Sequence, residues 1–259
     1  KGFCVTRMLA KHGGLSDDIA ETRLALAELA PVDGLIVDHY GLDARWESEL
    51  RPLVNKVIVI DDKANRAHDC DILLDQNYMG GALDRYDHLV SAASLKLFGP
   101  RYALLDDDFR AAGNKLRVRD GSVRRLLICF GGTDPVGHSS AALRALSIIS
   151  GTFEHVDVAT NPENPSSVIL RERCSEFQNV RFHCPAENLI ELMQLADLAL
   201  GAGGIMNWER ACLGLPTIAM GIVDNQTQTL ASLIHDGIVL GQASMLKPNA
   251  KLMASWLQI

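Results

Sequence analysis

Basic charge is the first thing this 259-residue sequence lacks: 25 Lys and Arg stand against 32 Asp and Glu, a formal net charge of −7. Without a basic stripe there is nothing to displace counterions from a phosphate backbone, which argues against nucleic acid as a partner. No apolar run approaches the roughly 20 residues that span a bilayer, so membrane insertion is not expected. The six cysteines, Cys4, Cys70, Cys129, Cys174, Cys184 and Cys212, form no C-x-x-C pair. Most lie in apolar runs and read as reduced core residues of a cytoplasmic protein rather than as zinc ligands or disulfides. A G-x-S-x-G elbow is missing, which leaves a Ser/His/Asp triad without support. Low-complexity segments and solenoid-length repeats are absent as well. No secretory leader follows Lys1, and because the chain opens on lysine just before an expected strand, Phe3 to Thr6, the natural N-terminus is expected upstream.

What is present describes a soluble globular protein: 47% hydrophobic and 22% charged residues, with a mean hydropathy of +0.07. The length allows two α/β domains, each with its own core. Apolar spacing predicts helices over 22–29 and 46–53, with strands at 35–37, 57–60, 72–74 and 95–99. Several of these strands end in polar residues: Asp38-His39-Tyr40, Asp61-Asp62 and Asp75-Gln76-Asn77. Short apolar runs with a loaded carboxyl edge indicate a parallel sheet. A charged, glycine-containing stretch then reads as a linker at 112–121. Beyond it, strands at 126–130, 156–159, 180–183 and 198–202 alternate with helices at about 139–149, 167–177 and 189–195, and a final helix is expected at 252–257 with Trp256 on its apolar side. The expected organisation is therefore an N-terminal Rossmann-like domain over 1–111 and a C-terminal one over 122–259, facing each other across a cleft.

The richest stretch is Gly201 to Gln226, GAGGIMNWERACLGLPTIAMGIVDNQ. A buried run stops at glycines and continues into a helix that Gly214 and Pro216 end. Such a strand, turn and helix suits an anion, because the first helical turn has free N–H groups and glycines let a phosphate come close. Glu209 falls in the first turns, within reach of a sugar hydroxyl, and Asp224-Asn225-Gln226 follows the next strand. Gly131-Gly132-Thr133-Asp134 is a second turn of the same kind. The bland reading is a glycine turn of the sort found throughout doubly wound proteins.

Other constellations are weaker. Asp106-Asp107-Asp108 contains D-x-D, a metal-diphosphate pattern, but a lone acidic run is more simply an exposed turn. His68-Asp69-Cys70-Asp71 alternates too strictly to converge on one ion, so no metal is expected. His39 suits proton transfer at a strand end and suits equally a structural role holding its loop, while Tyr40 can orient a water or a sugar.

These residues also carry a resemblance. IVDHYGLDARWE (36–47), VIDDKANRAHDCDILLDQN (59–77), LFGPRYALL (97–105), FGGTDP (130–135), GAGG followed by NWERACLGLP (201–216) and DNQ (224–226) resemble, in order, the UDP-sugar hydrolases of pseudaminic acid biosynthesis, themselves similar to GT-B glycosyltransferases. The resemblance implies a GT-B-like α/β fold. It implies UDP on Gly132, Thr133, Gly203, Gly204, Ile205, Met206 and Glu209, and the sugar near His39, Tyr40, Asp224, Asn225 and Gln226, with Tyr40 and Asn225 the candidate catalytic residues. It further implies a metal- and cofactor-independent attack of water on a UDP-linked 2,4-diacetamido-2,4,6-trideoxy sugar. A glycosyltransferase using the same UDP site, or a nucleotide-sugar binding protein without catalysis, are the alternatives. The chain departs from the family in three places. The family's catalytic histidine loop after the first strand is not present, and His12 does not match it, so the N-terminal domain is expected to be incomplete. Ile205 and Met206 replace small hydroxyl residues, leaving phosphate contact to backbone N–H groups, and Asp106 stands where arginine is usual. The oligomeric state stays unassigned.

Overall fold

A computed structural model describes residues 14–82, 84–149 and 151–258. The expected strand from Phe3 to Thr6, together with Cys4 and His12, lies outside the described residues. The chain divides into two compact units between Tyr102 and Ala103.

The first unit contains α1 (Leu15–Leu29), β1 (Val32–Val37), α2 (Ala44–Leu50), β2 (Val54–Ile60), β3 (Ile72–Asp75) and β4 (Leu95–Phe98). Among the described residues its four strands run parallel in the order β1-β2-β3-β4. Register is fixed by apolar pairs: Ile36 faces Ile58, Ile58 faces Ile72 and Leu74 faces Leu97. Trp46, Leu50, Val57, Val59 and Leu73 fill the core. Helix α1 starts seven residues before the expected Thr22. Its polar opening turn has no apolar periodicity to read, yet Asp17 and Asp18 suit the positive end of the helix. Asp18 also accepts a 2.6 Å hydrogen bond from Trp46 Nε1, tying α1 to α2.

The second unit begins with α3 (Asp107–Gly113) and continues through β5 (Arg125–Cys129), α4 (His138–Ile148), β6 (His155–Ala159), α5 (Ser167–Cys174) and β7 (Val180–His183). It then runs through α6 (Leu189–Leu195), β8 (Leu198–Ala202), α7 (Met206–Cys212), β9 (Thr217–Met220), α8 (Thr227–His235), β10 (Leu240–Gln242) and α9 (Ala250–Leu257). Its six parallel strands take the order β10-β9-β8-β5-β6-β7. The chain moves outward from β5 to β7 and returns to β8 on the other side of β5, so the sheet reverses direction between β5 and β8. Strands β8 and β9 are buried at every position, as the continuous apolar runs of a sheet covered on both faces require.

Two expectations change here. The division falls ahead of the stretch read as a linker, and 112–121 is tied to the second unit: Arg119 donates to the carbonyls of Met193, Ala196 and Gly214, and Arg117 pairs with Asp197. The stretch reads as a linker in sequence because the partners of its charges lie about 75–95 residues away. Asp106-Asp107-Asp108 is not a free turn either. Asp106 caps α3 by accepting from Asp108 N at 2.9 Å, and the other two carboxyls sit in the first turn.

Candidate functional site

In an open parallel sheet, ligands bind outside the carboxyl ends of the strands where the strand order reverses. In the second unit that point lies between β5 and β8, where Cys129, the last residue of β5, faces Gly201 of β8 in register. Both strands run straight into the two glycine turns singled out from sequence. Gly131-Gly132-Thr133 and Gly203-Gly204-Ile205 are therefore brought side by side.

The turn after β8 is built around a buried cation. Arg210 is 1% exposed. It donates from Nη2 to Ala202 O and to Asn207 Oδ1, each at 2.6 Å. A Cβ at Gly201 would collide with its Nη1 and with the Cys129 carbonyl. Burial pulls the Arg210 pKa down to about 10, which still leaves a full positive charge behind the turn at neutral pH. Its neighbour Glu209 lies in the first turn of α7. Burial pushes the Glu209 carboxyl above its usual range, with Arg210 pulling it back in part. Its Oε2 is buried with no hydrogen-bond partner among the described residues.

Gly201 and Gly203 serve packing. A Cβ on Gly203 would run into the Leu230 side chain of α8, and the Gly203 amide already donates to Met220 O at 2.8 Å. The amides that carry no hydrogen bond among the described residues are those of Gly204, Ile205 and Met206. Gln226, expected at the sugar, instead clamps the turn: Oε1 accepts from Ile222 N at 3.0 Å, and Nε2 lies 3.1 Å from where a Gly204 Cβ would be. Asp224, Asn225 and Gln226 form a single 3-10 turn after β9.

At the end of β5, the anion-competent turn is partly taken by the protein itself. Asp134 sits at a positive φ of 35° and its buried carboxylate accepts from His138 N and Ser139 N, both at 2.8 Å. Burial opposes the charge, but these bonds hold the Asp134 carboxyl below its ordinary range. The opening N–H groups of α4 are thus bound by an internal anion. Thr133 remains exposed, and Asn161 stands over Gly132, with Nδ2 3.0 Å from the Cβ position.

In the first unit, His39 and Tyr40 sit just past β1. His39 Nδ1 accepts from Gly41 N at 3.1 Å, the structural role left open by sequence, which places the ring proton on Nε2. The Tyr40 ring is half exposed, with Lys63 Nζ 3.8 Å from its centroid. The loop is held by Arg66, which donates to His39 O and Leu42 O and pairs with buried Asp61 at 2.6 Å. Asp61 also accepts from Tyr86 Oη and from Lys63 N and Ala64 N. These bonds and the Arg66 charge offset its burial and keep it ionised. Sequence pointed to the acids ending β2 but not to this hub, because its partners come from three separate loops.

His68, Asp69 and Asp71 are each engaged elsewhere: His68 Nδ1 meets Glu47 at 2.7 Å, and Arg51 pairs with both Asp69 and Asp71.

A family model described as a protein of unknown function (DUF354) matches residues 165–229. The chain is similar to the UDP-2,4-diacetamido-2,4,6-trideoxy-beta-L-altropyranose hydrolase of Campylobacter jejuni, being 29% identical over 204 residues, 78% of this chain and 71% of that one. It is also similar to the spore coat polysaccharide biosynthesis protein SpsG of Bacillus subtilis, 26% identical over 55% of this chain and 42% of that protein. Among solved structures, MurG of Acinetobacter baumannii matches with a TM-score of 0.59 at 12% identity, covering 93% of this chain and 68% of its own. The UDP-GlcNAc 2-epimerase of Neisseria meningitidis matches with a TM-score of 0.55 at 13% identity, covering 96% and 74%. The fold is accordingly α/β and GT-B-like, with two Rossmann-like units.

Proposed function

We propose that the protein hydrolyses a UDP-linked 2,4-diacetamido-2,4,6-trideoxy sugar to UDP and the free sugar, a step of pseudaminic acid biosynthesis. The observation that carries the nucleotide part is the sheet reversal between β5 and β8, flanked by two glycine turns with Glu209 beside them. The relative's activity supplies the substrate class.

In this reading the unengaged amides of Gly204, Ile205 and Met206 take the diphosphate, with Gly132 and Thr133 beside them. Arg210 adds a fixed positive charge in a dry setting, where it acts more strongly than in water. Glu209 accepts from the ribose hydroxyls. Gly203 contributes shape and not its amide. Tyr40, Asn225, His39 and Asp224 are assigned to the sugar. A water oxygen bonds to the anomeric carbon as the bond from that carbon to the diphosphate oxygen breaks, and the water's proton passes to solvent or to a base. The resemblance implies that no metal takes part, and the first-turn carboxyls of α3 have a helix end to serve instead.

Hydrolysis in ¹⁸O-water tests the reaction. The label is expected on C1 of the released sugar and not in UDP; label in the diphosphate would sink the mechanism. The second reading, a glycosyltransferase with a UDP-amino-sugar donor, is favoured by the fold shared with MurG. An acceptor screen separates the two: transfer to an added acceptor in preference to water would establish it.

A further inference from the structure

The first unit holds a cavity of about 190 Å³ at the carboxyl ends of β3 and β4, away from the Tyr40 loop in sequence and lined in part by the stretch after Asn77. Its walls are apolar, formed by Met79, Tyr86, Phe98 and Pro100. Tyr86 and Phe98 pack ring against ring at 5.3 Å, and the Tyr86 hydroxyl is turned away to Asp61, so only its ring faces the space. The polar part comprises Asn77, Tyr78 and the ion pair of Arg85 and Asp75, 2.8 Å apart, with side chains only 12% and 5% exposed. Arg85 also donates to Asp62 O at 3.0 Å, and Asp75 accepts from Asn77 N at 3.0 Å.

A guanidinium has five N–H donors and a carboxylate about four acceptor positions. The bonds above use two of each, so the pair offers a visitor both a donor and an acceptor while being neutral as a whole. A lone carboxylate would be repelled by Asp75 and a lone ammonium by Arg85. The group that matches is neutral, accepts at one atom and donates at the next, and carries a small apolar end for the walls: a secondary amide with a methyl. The cavity is also smaller than the roughly 300–1,000 Å³ of clefts that take whole drug-sized ligands, which suits a substituent rather than a complete nucleotide sugar.

We propose that this cavity binds an acetamido group of an N-acetylated amino sugar, its carbonyl accepting from Arg85, its N–H donating to Asp75 and its methyl lying among Met79, Phe98 and Pro100. The identity of the sugar rests on the proposed function; the amide chemistry rests on the cavity. It would make Asp75 and Arg85 specificity-determining residues for the acylated amine.

The test uses the full chain with methyl N-acetyl-β-glucosaminide as probe, methyl β-glucoside as control, and saturation-transfer NMR read at the acetyl methyl. The expected result is saturation of that methyl, no signal from the control, and binding about tenfold weaker in Arg85→Met, as the loss of one hydrogen bond to a charged group implies. Met79→Trp, which fills the cavity and leaves the ion pair in place, is expected to abolish the signal as well, and circular dichroism confirms that each variant is folded. Absence of saturation in the wild type, or saturation unchanged in both folded variants, overturns the proposal. Calorimetry with UDP on the same samples reports separately on the nucleotide reading. UDP bound without the acetamido probe refutes the cavity alone, whereas the probe bound without UDP supports the cavity and refutes the nucleotide site.

Discussion

At the scale of single residues, the molecule keeps several carboxyl groups in places that disfavour their charge, and this has measurable consequences. Glu209 is raised by burial and leaves one oxygen unbonded among the described residues. A carboxyl whose folded pKa lies above its unfolded one contributes stability at low pH that is lost as pH rises through the folded value. Glu209→Gln is therefore expected to melt at a higher temperature than the wild type at pH 7.5, while Glu209→Ala loses about 1 to 3 kcal/mol of UDP affinity through its ribose bonds. Unchanged calorimetric affinity for UDP in the alanine variant would refute the ribose role. Asp75 follows the same sign with a value attached: burial, reinforced by Asp62 and Asp61 and opposed by Asn77 N and Arg85, pushes it up to about 6. The stability difference between wild type and Asp75→Asn should shift against the wild type between about pH 4 and pH 6, by roughly 3 kcal/mol, and stay flat above. Urea midpoints across that range check it, and a difference that does not vary with pH would show that Asp75 keeps its ordinary pKa.

At the scale of elements, the same stretch of chain carries both packing and site. Gly203 directly follows β8, and the room a side chain would need is filled by Leu230 of α8, a fully buried residue. Gly203→Ala should cost about 1 to 3 kcal/mol through overpacking. Adding Leu230→Ala should restore part of that loss, a coupling that a double-mutant cycle in urea detects. Simple additivity would mean that the glycine is there for its backbone alone. This is also where sequence and structure part company. Five of the six strands of the second sheet are legible because each is a short apolar run with a turn after it, and β8 and β9 fall where Leu198 and Thr217 begin theirs. Helix α8 and strand β10 are absent from the sequence reading: α8 does carry apolar residues at helical spacing, with Leu230 and Leu233 buried, while β10 is only three residues long. The sequence reads Gly203 for the approach of a phosphate, and its packing against Leu230 is not visible there because Leu230 lies 27 residues on. Asp134 was read as part of an anion-binding turn, and it is itself the anion, a role set by the left-handed backbone at that residue.

At the scale of the whole molecule, each unit has its own sheet and its own buried cluster, with Trp46, Leu50 and Leu73 in the first and Leu126, Ile128 and Leu200 in the second. That much followed from two series of βα repeats. The place of the boundary did not, because Arg117 and Arg119 read as solvated charges until their partners at Asp197 and the carbonyls of Met193, Ala196 and Gly214 are known. If the nucleotide is held as proposed, every group assigned to the UDP moiety, from Gly132 to Glu209, belongs to the unit that starts at Ala103. The fragment 103–259 keeps α3, both arginines and a six-stranded sheet, and should fold cooperatively and bind UDP within about threefold of the full chain. A fragment cut at residue 122 loses Arg117 and Arg119, uncovers the carbonyls they satisfy, and should be less stable by several kcal/mol. Calorimetry on the two fragments decides the point: a folded 103–259 that fails to bind UDP would move the nucleotide onto residues before Ala103 and would remove the basis for assigning Glu209 to the ribose.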